Sequence, residues 1–164
     1  MQIACSPACA IEIGRAAAKK QAQETRKRRE AIKPRSKWMR DAQAAFNAWI
    51  RKRDKDLPCI SCGRHHQGQW HAGHYLSTGA RPELRFDERN VHKQCSACNR
   101  FLSGNATIYR VQLIAKVGRE TVEWLEGPHE PRKYTLEDLL QIRDDYRARL
   151  RYNVTPKTTQ EKSE

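Results

Sequence analysis

Two short cysteine pairs, Cys59 with Cys62 and Cys95 with Cys98, constrain this chain more than any other feature of its sequence. The two-residue spacing lets both thiolates of a pair reach one metal ion, and two such pairs supply the four ligands of a tetrahedral zinc site. Residues 63–94 separate the pairs, so the segment that the metal closes can hold structure of its own. Reduced thiols without metal are the alternative. We expect a small domain built around a structural zinc that has no open coordination position.

The composition leaves room for one modest domain and gives it a strong positive charge. Of the 164 residues, 38% are apolar and 31% are charged, so we expect a core of about 100 residues with polar extensions. The formal net charge is +13 and the isoelectric point is near 9.8, which favours a polyanionic partner such as nucleic acid. A surface kept soluble by its charge is the alternative, but the basic residues also cluster along the sequence.

No stretch of the sequence suits a membrane or a secretory signal. No run approaches the roughly 18 consecutive apolar residues that span a bilayer, and no basic segment followed by an apolar run opens the chain. In an intracellular chain, closely paired cysteines favour metal over disulfides. Cys5 and Cys9 are separated by three residues, which makes them half a zinc site or, as the alternative, two free thiols or a remnant.

Residues 15–40 are rich in lysine and arginine and poor in large apolar side chains. Alanine, lysine and glutamine favour a helix here, but such a helix has almost no apolar face with which to join a core. We predict an exposed basic helix that lies along phosphates when nucleic acid is bound; a solvated linker helix is the alternative. The phosphate contacts expected in this helix are Lys19, Lys20, Arg26, Lys27, Arg28 and Arg29.

Apolar periodicity and turn residues predict the remaining elements. The predicted elements are a helix over 36–54, short strands over 68–76 and 90–94, a helix that starts near Cys98, is interrupted at Gly104 and continues over 106–117, a short helix over 119–126, and a last helix capped by Thr135. Over 106–117, Ile108, Val111, Ile114 and Ala115 recur at helical spacing and are expected to face the core.

The segment between the cysteine pairs carries the candidates for catalysis. His74 can accept a proton from water near pH 7, because an unperturbed imidazole has a pKa of about 6.5. Hydrolysis of a phosphodiester needs such a base together with a divalent cation, which His71 and Asn99 could hold. Asn99 directly follows Cys98, so a metal bound there would fix the direction of the asparagine. The sequence therefore predicts metal-assisted hydrolysis with His74 as the general base.

These residues resemble the HNH nuclease pattern with an added zinc staple. Cys-x-x-Cys, a histidine at a strand end, an asparagine before the next strand and Cys-x-x-Cys-Asn follow one another as in that pattern and as in the phage endonuclease VII. The resemblance implies that His74 is the general base, that Asn90 pins the loop and orients the histidine, and that Asn99 is a cation ligand. It also implies a ββα-metal core.

A closer resemblance covers residues 5–150. The strings that carry it are Lys33-Pro34-Arg35-Ser36, Leu57-Pro58-Cys59-Ile60-Ser61-Cys62-Gly63, Ala72-Gly73-His74-Tyr75, Leu84-Arg85-Phe86, His92-Lys93-Gln94-Cys95, Ser103-Gly104-Asn105 and Tyr109-Arg110-Val111. They are similar to the NinG (Rap) recombination nucleases of lambdoid phages. That family implies a structure-specific endonuclease for branched recombination intermediates such as Holliday junctions and D-loops, using magnesium or manganese. It also implies a phage or prophage protein in the cytoplasm of a bacterial host.

Two features differ from that family pattern. The family has an acidic residue before Ala-Gly-His-Tyr where this chain has His71, and because magnesium prefers oxygen ligands, manganese or another softer ion is favoured here. Asp87 or Glu88 could replace the missing carboxylate. The family also carries a cysteine pair ahead of the segment that matches Cys5 to Cys9, so a truncated N-terminal knuckle is expected.

The sequence thus predicts an α+β fold, mainly helical, with a small zinc-stapled ββα-metal (HNH) core and flanking helices. Residues 1–35 are expected to form a basic helical extension with a remnant cysteine pair, 36–152 the nuclease domain, and 153–164 a disordered tail.

The predicted partner is branched DNA. Arg85, Lys93 and Arg100 are expected to contact its phosphates, and a two-fold homodimer would suit the symmetry of a four-way junction. Two other functions compete with this prediction: a non-catalytic zinc-finger protein that binds DNA and derives from such a nuclease, and a zinc protein that binds RNA.

Overall fold

The computed structural model describes residues 6–31 and 34–152. Cys5 and the tail predicted over 153–164 lie outside the described residues, as does the side chain of Arg29. The predictions made for these positions therefore stay predictions.

The chain divides into two compact units, 1–38 and 39–164. In the first unit, α1 spans Pro7–Ala31 as one helix. Its described side chains are exposed as far as Arg28, except that Cys9 is half-buried. An exposed basic helix is confirmed over this range, because a helix without an apolar face has nothing to bury.

The second unit is mainly helical and contains one small sheet. Its elements are α2 (Arg35–Arg53, which begins in the first unit), β1 (Trp70–His74), β2 (Val91–Cys95), α3 (Ala106–Val117), α4 (Arg119–Glu126) and α5 (Leu136–Tyr152). Two single helical turns, Pro82–Leu84 and Ala97–Phe101, join them. The predicted order of helices and strands is confirmed, with β1 shorter at both ends than expected.

β1 and β2 form an antiparallel hairpin in which His74 lies opposite Val91. Successive side chains of a strand point to opposite faces of the sheet. His74 and Ala72 therefore share one face, and His71 and Gly73 share the other. The two histidines of the predicted site thus leave the hairpin in opposite directions.

Each face of the hairpin packs on its own apolar cluster. The aromatic core, formed by α2, β2 and α5, consists of Ala45, Phe46, Trp49, Ile50, Val91 and Tyr146, with Ala72 packed against it. The α3–α4 core consists of Ile60, Leu84, Tyr109, Leu113, Val122 and Leu125. Tyr109 reaches the other face of the hairpin, because its hydroxyl donates to the Gly73 carbonyl at 2.9 Å.

The predicted apolar face of α3 is confirmed only for Ile114, which packs against the α3–α4 core, and is wrong for the other three residues. Tyr109 and Leu113 are buried, whereas Val111 is 62% exposed and Ile108 is also exposed. Residues 108–115 are mostly apolar, so periodicity offered two faces of similar hydropathy. Contacts with the hairpin and α4 select the face that carries the tyrosine.

The last helix begins as predicted. Thr135 Oγ1 accepts from the Asp138 backbone N–H at 3.1 Å, and the Asp138 carboxylate accepts from the Thr135 backbone N–H at 2.7 Å. This reciprocal pair satisfies two amides that the first turn of a helix leaves without partners. Among the described residues, no helix is both long and apolar enough to cross a membrane.

Candidate metal centre and active site

The four cysteines of the two pairs converge on one point, which we call the knuckle. The sulfur atoms of Cys59, Cys62, Cys95 and Cys98 all lie within 4.8 Å of one another, and three of the four residues are buried. The first pair lies on a turn that Gly63 closes with a positive φ of 68°, donating to the Cys59 carbonyl at 2.8 Å. The second pair joins the end of β2 to the following turn. This cluster could hold a metal such as zinc.

The surroundings of the sulfurs suit thiolates bound to a cation. The Cys95 backbone N–H donates to Cys59 Sγ at 3.4 Å, and His66 Nε2 lies 3.1 Å from Cys62 Sγ. Burial raises the pKa of the Cys98 thiol to about 12, and the Cys95 and Cys59 sulfurs add to this shift. Four thiolates cannot share so small a space unless a cation neutralises them, so the donor set fits a bound metal.

A buried glutamine ties the hairpin to the knuckle. Gln94 Nε2 donates to Ser61 Oγ and to the Gly104 carbonyl, both at 2.6 Å. Its Oε1 lies 2.1 Å from the point where a Cβ on Gly73 would stand. Among described atoms this oxygen accepts no hydrogen bond. The glycine of the Ala-Gly-His segment is therefore required by close packing, since any side chain there would displace Gln94.

His74 lies at the end of β1, half-buried, with its ring oriented by the backbone. Its Nε2 is 3.0 Å from the Arg85 carbonyl oxygen. A carbonyl can only accept, so Nε2 carries the proton and the lone pair of the neutral imidazole is on Nδ1. Burial lowers the pKa of His74, and the Arg85 charge lowers it further, while the bond to the Arg85 carbonyl raises it; the pKa lies below 6.5 overall. The ring is thus held neutral with one nitrogen able to accept a proton.

Asn90 joins the two ends of the loop that follows β1. Its Oδ1 accepts from the Leu76 backbone N–H at 2.9 Å, and its Nδ2 donates to the Leu76 and Leu84 carbonyls at 3.0 and 3.2 Å. The side chain is 0% exposed. Because Arg85 follows Leu84 directly, this pinning also fixes the carbonyl that orients His74.

His71 is not brought together with His74. Its Nε2 lies 2.8 Å from Ser96 Oγ, and that hydroxyl donates to the Gln69 carbonyl at 3.2 Å. The strand pleat directs the two imidazoles to opposite faces. Burial lowers the pKa of His71, and the charges of Arg100 and Arg51 lower it further. The prediction that His71 holds the cation stays untested, and this arrangement does not favour a cation shared with His74.

Asn99 lies in the turn Ala97–Phe101, half-exposed, directly after buried Cys98. The described residues offer its side chain no hydrogen-bond partner. Its amide is thus available to a ligand, and its role as a cation ligand stays a prediction.

The two acidic residues expected to replace the missing carboxylate are both occupied. Asp87 accepts from the Arg89 backbone N–H and from the Arg89 guanidinium, at 2.7 to 3.0 Å. Glu88 accepts from Trp49, Arg53, Tyr146 and Arg149. The expectation that either serves as a cation ligand stays untested, and in this structure strong donors already surround both carboxylates.

The three phosphate contacts predicted in this unit have different surroundings. Arg100 is exposed, and Arg85 is half-buried, with its guanidinium donating to Gln43 Oε1 at 3.2 Å. Lys93 is only 5% exposed; its ammonium donates to the Lys55 carbonyl at 2.8 Å and lies 4.2 Å from the Trp70 ring centroid. The ammonium of Lys93 is therefore held against the aromatic ring, and its role as a phosphate contact stays a prediction. In α1, Lys19, Lys20, Arg26, Lys27 and Arg28 are exposed.

Sequence reasoning missed a basic cleft beside the knuckle. Arg51, Lys55, Trp70 and Lys93 line this cleft of about 330 Å³. The sequence signal for this cleft was the basic run Arg51-Lys52-Arg53 at the end of α2. The helical periodicity indicated only that a helix ends there.

His92 was also missed, and it is no candidate for a base. It lies buried with Nδ1 at 3.3 Å from the Tyr109 hydroxyl, and burial, followed by the charges of Lys116 and Arg53, lowers its pKa to about 3. It stays neutral and fills the space between the hairpin and α3.

Comparison with known proteins identifies relatives over most of the chain. Residues 1–154 match the family model described as Bacteriophage Lambda NinG protein. Protein ninG of Escherichia phage lambda is 51% identical over 124 residues, which are 76% of this chain and 61% of that protein. Protein ninG of Escherichia phage 933W is 52% identical over 124 residues, 76% of this chain and 62% of that protein. The chain therefore spans less than two thirds of the length of these relatives. No solved structure matches it.

Proposed function

From the premise that this chain belongs to the bacteriophage lambda NinG family, we propose that it is a structure-specific DNA endonuclease that hydrolyses phosphodiesters in branched recombination intermediates. The observation that carries the proposal is the geometry of His74: its Nε2 lies 3.0 Å from the Arg85 carbonyl oxygen, an acceptor, which assigns the ring proton to Nε2 and leaves Nδ1 to take a proton. The predicted HNH arrangement assigns a general base to this position at the end of β1.

The proposed reaction is an in-line displacement at phosphorus. Water attacks the phosphorus and loses a proton to His74 Nδ1, while the bond from phosphorus to the 3′ oxygen breaks; the departing oxygen takes a proton from solvent, which leaves a 3′-hydroxyl and a 5′-phosphate. A divalent cation, magnesium or manganese, would stabilise the charge that develops on the phosphate and on the departing oxygen. Asn99 is the residue that would hold it. Asn90 keeps the loop and the Arg85 carbonyl in place, so it positions the base and does not touch the substrate.

A closed zinc site at the knuckle would set geometry and take no part in the reaction. Four sulfur ligands leave no coordination position for water. The metal would fix the start of the turn Ala97–Phe101 and so the direction of Asn99. A dimer with two-fold symmetry would present two such sites to a four-way junction.

A second function, DNA binding without cleavage, is favoured by one specific observation. Asp87 and Glu88 are both held by basic residues, and His71 stands where the family pattern has a carboxylate. A hard cation prefers oxygen ligands. A protein that keeps the knuckle and the basic surface but has lost its cation site would bind branched DNA without cutting it.

Cleavage of a labelled four-way junction tests the choice between these functions. The protein is incubated with the junction and with a linear duplex of matching sequence, with magnesium or with manganese. We expect junction cleavage, faster with manganese, and a loss of about 100- to 10,000-fold in rate for His74→Ala, because a positioned general base contributes that much. Binding of the junction without cleavage under either ion would favour the second function.

A matched control distinguishes the loss of the proposed base from the effect of replacing any histidine. His65 is exposed beside the knuckle, so His65→Ala should cut at the wild-type rate. His71→Ala should lose less activity than His74→Ala, since the two rings leave the hairpin on opposite faces. Equal rates for His74→Ala and wild type would show that the assignment of the base is wrong. Zinc content and circular dichroism confirm that each variant is folded.

A further inference from the structure

The turn that follows the second cysteine pair presents two large apolar side chains to solvent. Phe101 is 80% exposed and Leu102 is 57% exposed, in a chain whose other two phenylalanines are buried or half-buried. Single exposed apolar residues are common, but here two adjacent ones stand together on one turn, and contiguous exposed apolar groups can mark a site of interaction. We propose that Phe101 and Leu102 form a wedge that stacks on an exposed base at the branch point of bound DNA. This inference rests on the proposed function, and it adds how the branch is recognised.

The wedge stands on a rigid turn. The Gly104 backbone N–H donates to the Cys98 carbonyl at 2.8 Å, and the Asn105 backbone N–H donates to the Leu102 carbonyl at 2.7 Å. Ser103, Gly104 and Asn105 all have positive φ angles, of 47°, 85° and 50°. The backbone thus doubles back immediately after Leu102. A side chain presented by such a turn loses little conformational freedom when it stacks on a base.

The interior anchors this turn from below. The Gly104 carbonyl accepts from Gln94 Nε2 at 2.6 Å and from Ser61 Oγ at 3.1 Å, and Asn105 Nδ2 lies 4.0 Å from Cys98 Sγ. The wedge is therefore connected through hydrogen bonds to both the knuckle and β2. A contact made at Phe101 is held in a fixed position relative to the hairpin that carries His74.

The surroundings of the wedge are cationic, which argues for DNA as the occupant. Arg100 directly precedes Phe101, is exposed, and lies close enough to His71 for its charge to act on that ring. A phosphate that flanks a branch-point base would meet this guanidinium group, while the apolar tip meets the base. Proteins that bend or open DNA use apolar wedges beside basic residues in this manner.

The small size of the patch argues against a protein partner. One phenylalanine and one leucine bury about 150–250 Å² each, well below the roughly 800 Å² per partner of a stable interface. A single stacked base needs only the face of one ring. Bases at a branch point are partly unstacked, so they offer that face without the cost of opening a duplex.

The experiment measures binding to a four-way junction that carries 2-aminopurine at the branch, and to a linear duplex, without added divalent cation. The variants are Phe101→Ser with Leu102→Ser, the conservative Phe101→Trp, and Val111→Ser as a control that removes an exposed apolar side chain from α3.

Wild type should bind the junction more tightly than the duplex and raise 2-aminopurine fluorescence. The fluorescence rises because the 2-aminopurine leaves its stack on a neighbouring base and stacks on the Phe101 ring instead. The double variant should lose about 10- to 100-fold in junction affinity and the fluorescence change, as expected for the loss of one stacked base. Its duplex affinity should stay within about threefold. Phe101→Trp and Val111→Ser should behave as wild type.

Several results would overturn the wedge. If wild type prefers the junction while the double variant keeps its affinity and fluorescence change, the wedge is wrong and the proposed function stands. An equal loss of affinity for junction and duplex would make the pair a general DNA contact. If sedimentation shows that the double variant changes oligomeric state with unchanged DNA affinity, the patch is a protein interface. If wild type shows no preference for the junction, the proposed function and the wedge fail together.

Discussion

The aromatic core and the knuckle border the same hairpin but are held together by different interactions. In the aromatic core, the Phe46 ring meets Phe86 and Tyr146 edge to face, with centroids 5.6 and 4.9 Å apart. The knuckle holds four sulfurs within 4.8 Å of one another, and beside it Gln94, Ser61 and Gly104 form a polar network. Apolar packing is non-directional and tolerates small adjustments, whereas metal and hydrogen-bond geometry is specific. The core therefore stabilises the unit, and the knuckle fixes the start of the turn that carries Asn99.

Loss of the metal should have the largest effect and should be confined to the knuckle. Structural zinc in small domains contributes about 10–16 kcal/mol of apparent binding free energy, and four clustered sulfurs without a cation repel one another once they ionise. For Cys95→Ser we expect loss of bound zinc, measured by elemental analysis. Hydrogen exchange should accelerate over 59–62 and 95–105 while α2 and α5 keep most of their protection.

Cys9→Ser is the matched control for this prediction. Cys9 lies in α1 and takes no part in the four-sulfur cluster found among the described residues, so its substitution should leave zinc content and exchange unchanged. Equal loss of protection in α2, α5 and the knuckle would show that the two regions unfold as one and that the comparison does not hold.

The aromatic core should respond to a cavity without loss of zinc. Phe46 is fully buried, so Phe46→Ala should lower the free energy of unfolding by about 3–5 kcal/mol, measured by urea denaturation. Phe101→Ala changes the same residue type at the surface and should stay within about 0.5 kcal/mol. Both variants should bind zinc as wild type does. Similar losses for the two would mean that Phe101 is packed and not free to act as a wedge.

Glu88 extends the comparison to a charged group at the border of the core. It accepts from Trp49 at 3.1 Å, Tyr146 at 3.1 Å and Arg149 at 2.6 Å, and so joins α2 to α5 through the loop before Asn90. Glu88→Gln should cost about 2 kcal/mol, a value below that of a fully buried ion pair because the carboxylate is partly exposed.

Asp87→Asn is the control for that substitution. Asp87 serves only its neighbour Arg89, half of whose side chain is exposed, so the change should cost less than about 1 kcal/mol. If both variants lost the same stability, the role of Glu88 as a link between helices would be wrong.

The parts of the site that the sequence predicts are those that local spacing determines. The cysteine pairs converge as expected of a spacing that suits one tetrahedral metal site. The resemblance to the HNH pattern predicted that Asn90 holds the loop and that a histidine lies at the end of β1. The face that His71 occupies was not predicted, and it follows from the pleat of β1, which runs from Trp70 to His74.

The parts that the sequence did not predict depend on contacts between distant residues. Glu88 meets Arg149 across 61 positions, and no periodicity connects a loop carboxylate with the last helix. Lys93 has the alternation of an exposed strand residue, but the Trp70 ring and the end of α2 cover it. The face of α3 was ambiguous because its sequence is apolar on two sides. In each case tertiary packing decides between local options that the sequence leaves equal.

The smallest predicted effects concern the pKa values of the two histidines, which charges in different regions of the molecule lower. The charge of Arg85, whose guanidinium bonds Gln43 of α2, lowers the pKa of His74, and the charge of Arg100, beside the knuckle, lowers the pKa of His71. Removing a nearby cation raises the pKa of an imidazole. Arg85→Gln should therefore raise the pKa of His74, because the charge is removed while the backbone carbonyl that orients the ring remains. The pKa of His71 should stay unchanged. Arg100→Gln should do the reverse, and imidazole titrations by NMR would measure both.

The same pair of variants bears on catalysis. A base must be deprotonated to work, so cleavage should rise with pH through the pKa of His74, and Arg85→Gln should move that limb of the pH–rate profile to higher pH. Arg100→Gln should leave the midpoint in place. If Arg100→Gln moved the limb and Arg85→Gln did not, the titrating base would be His71, and the active face of the hairpin would be the one that packs on α3.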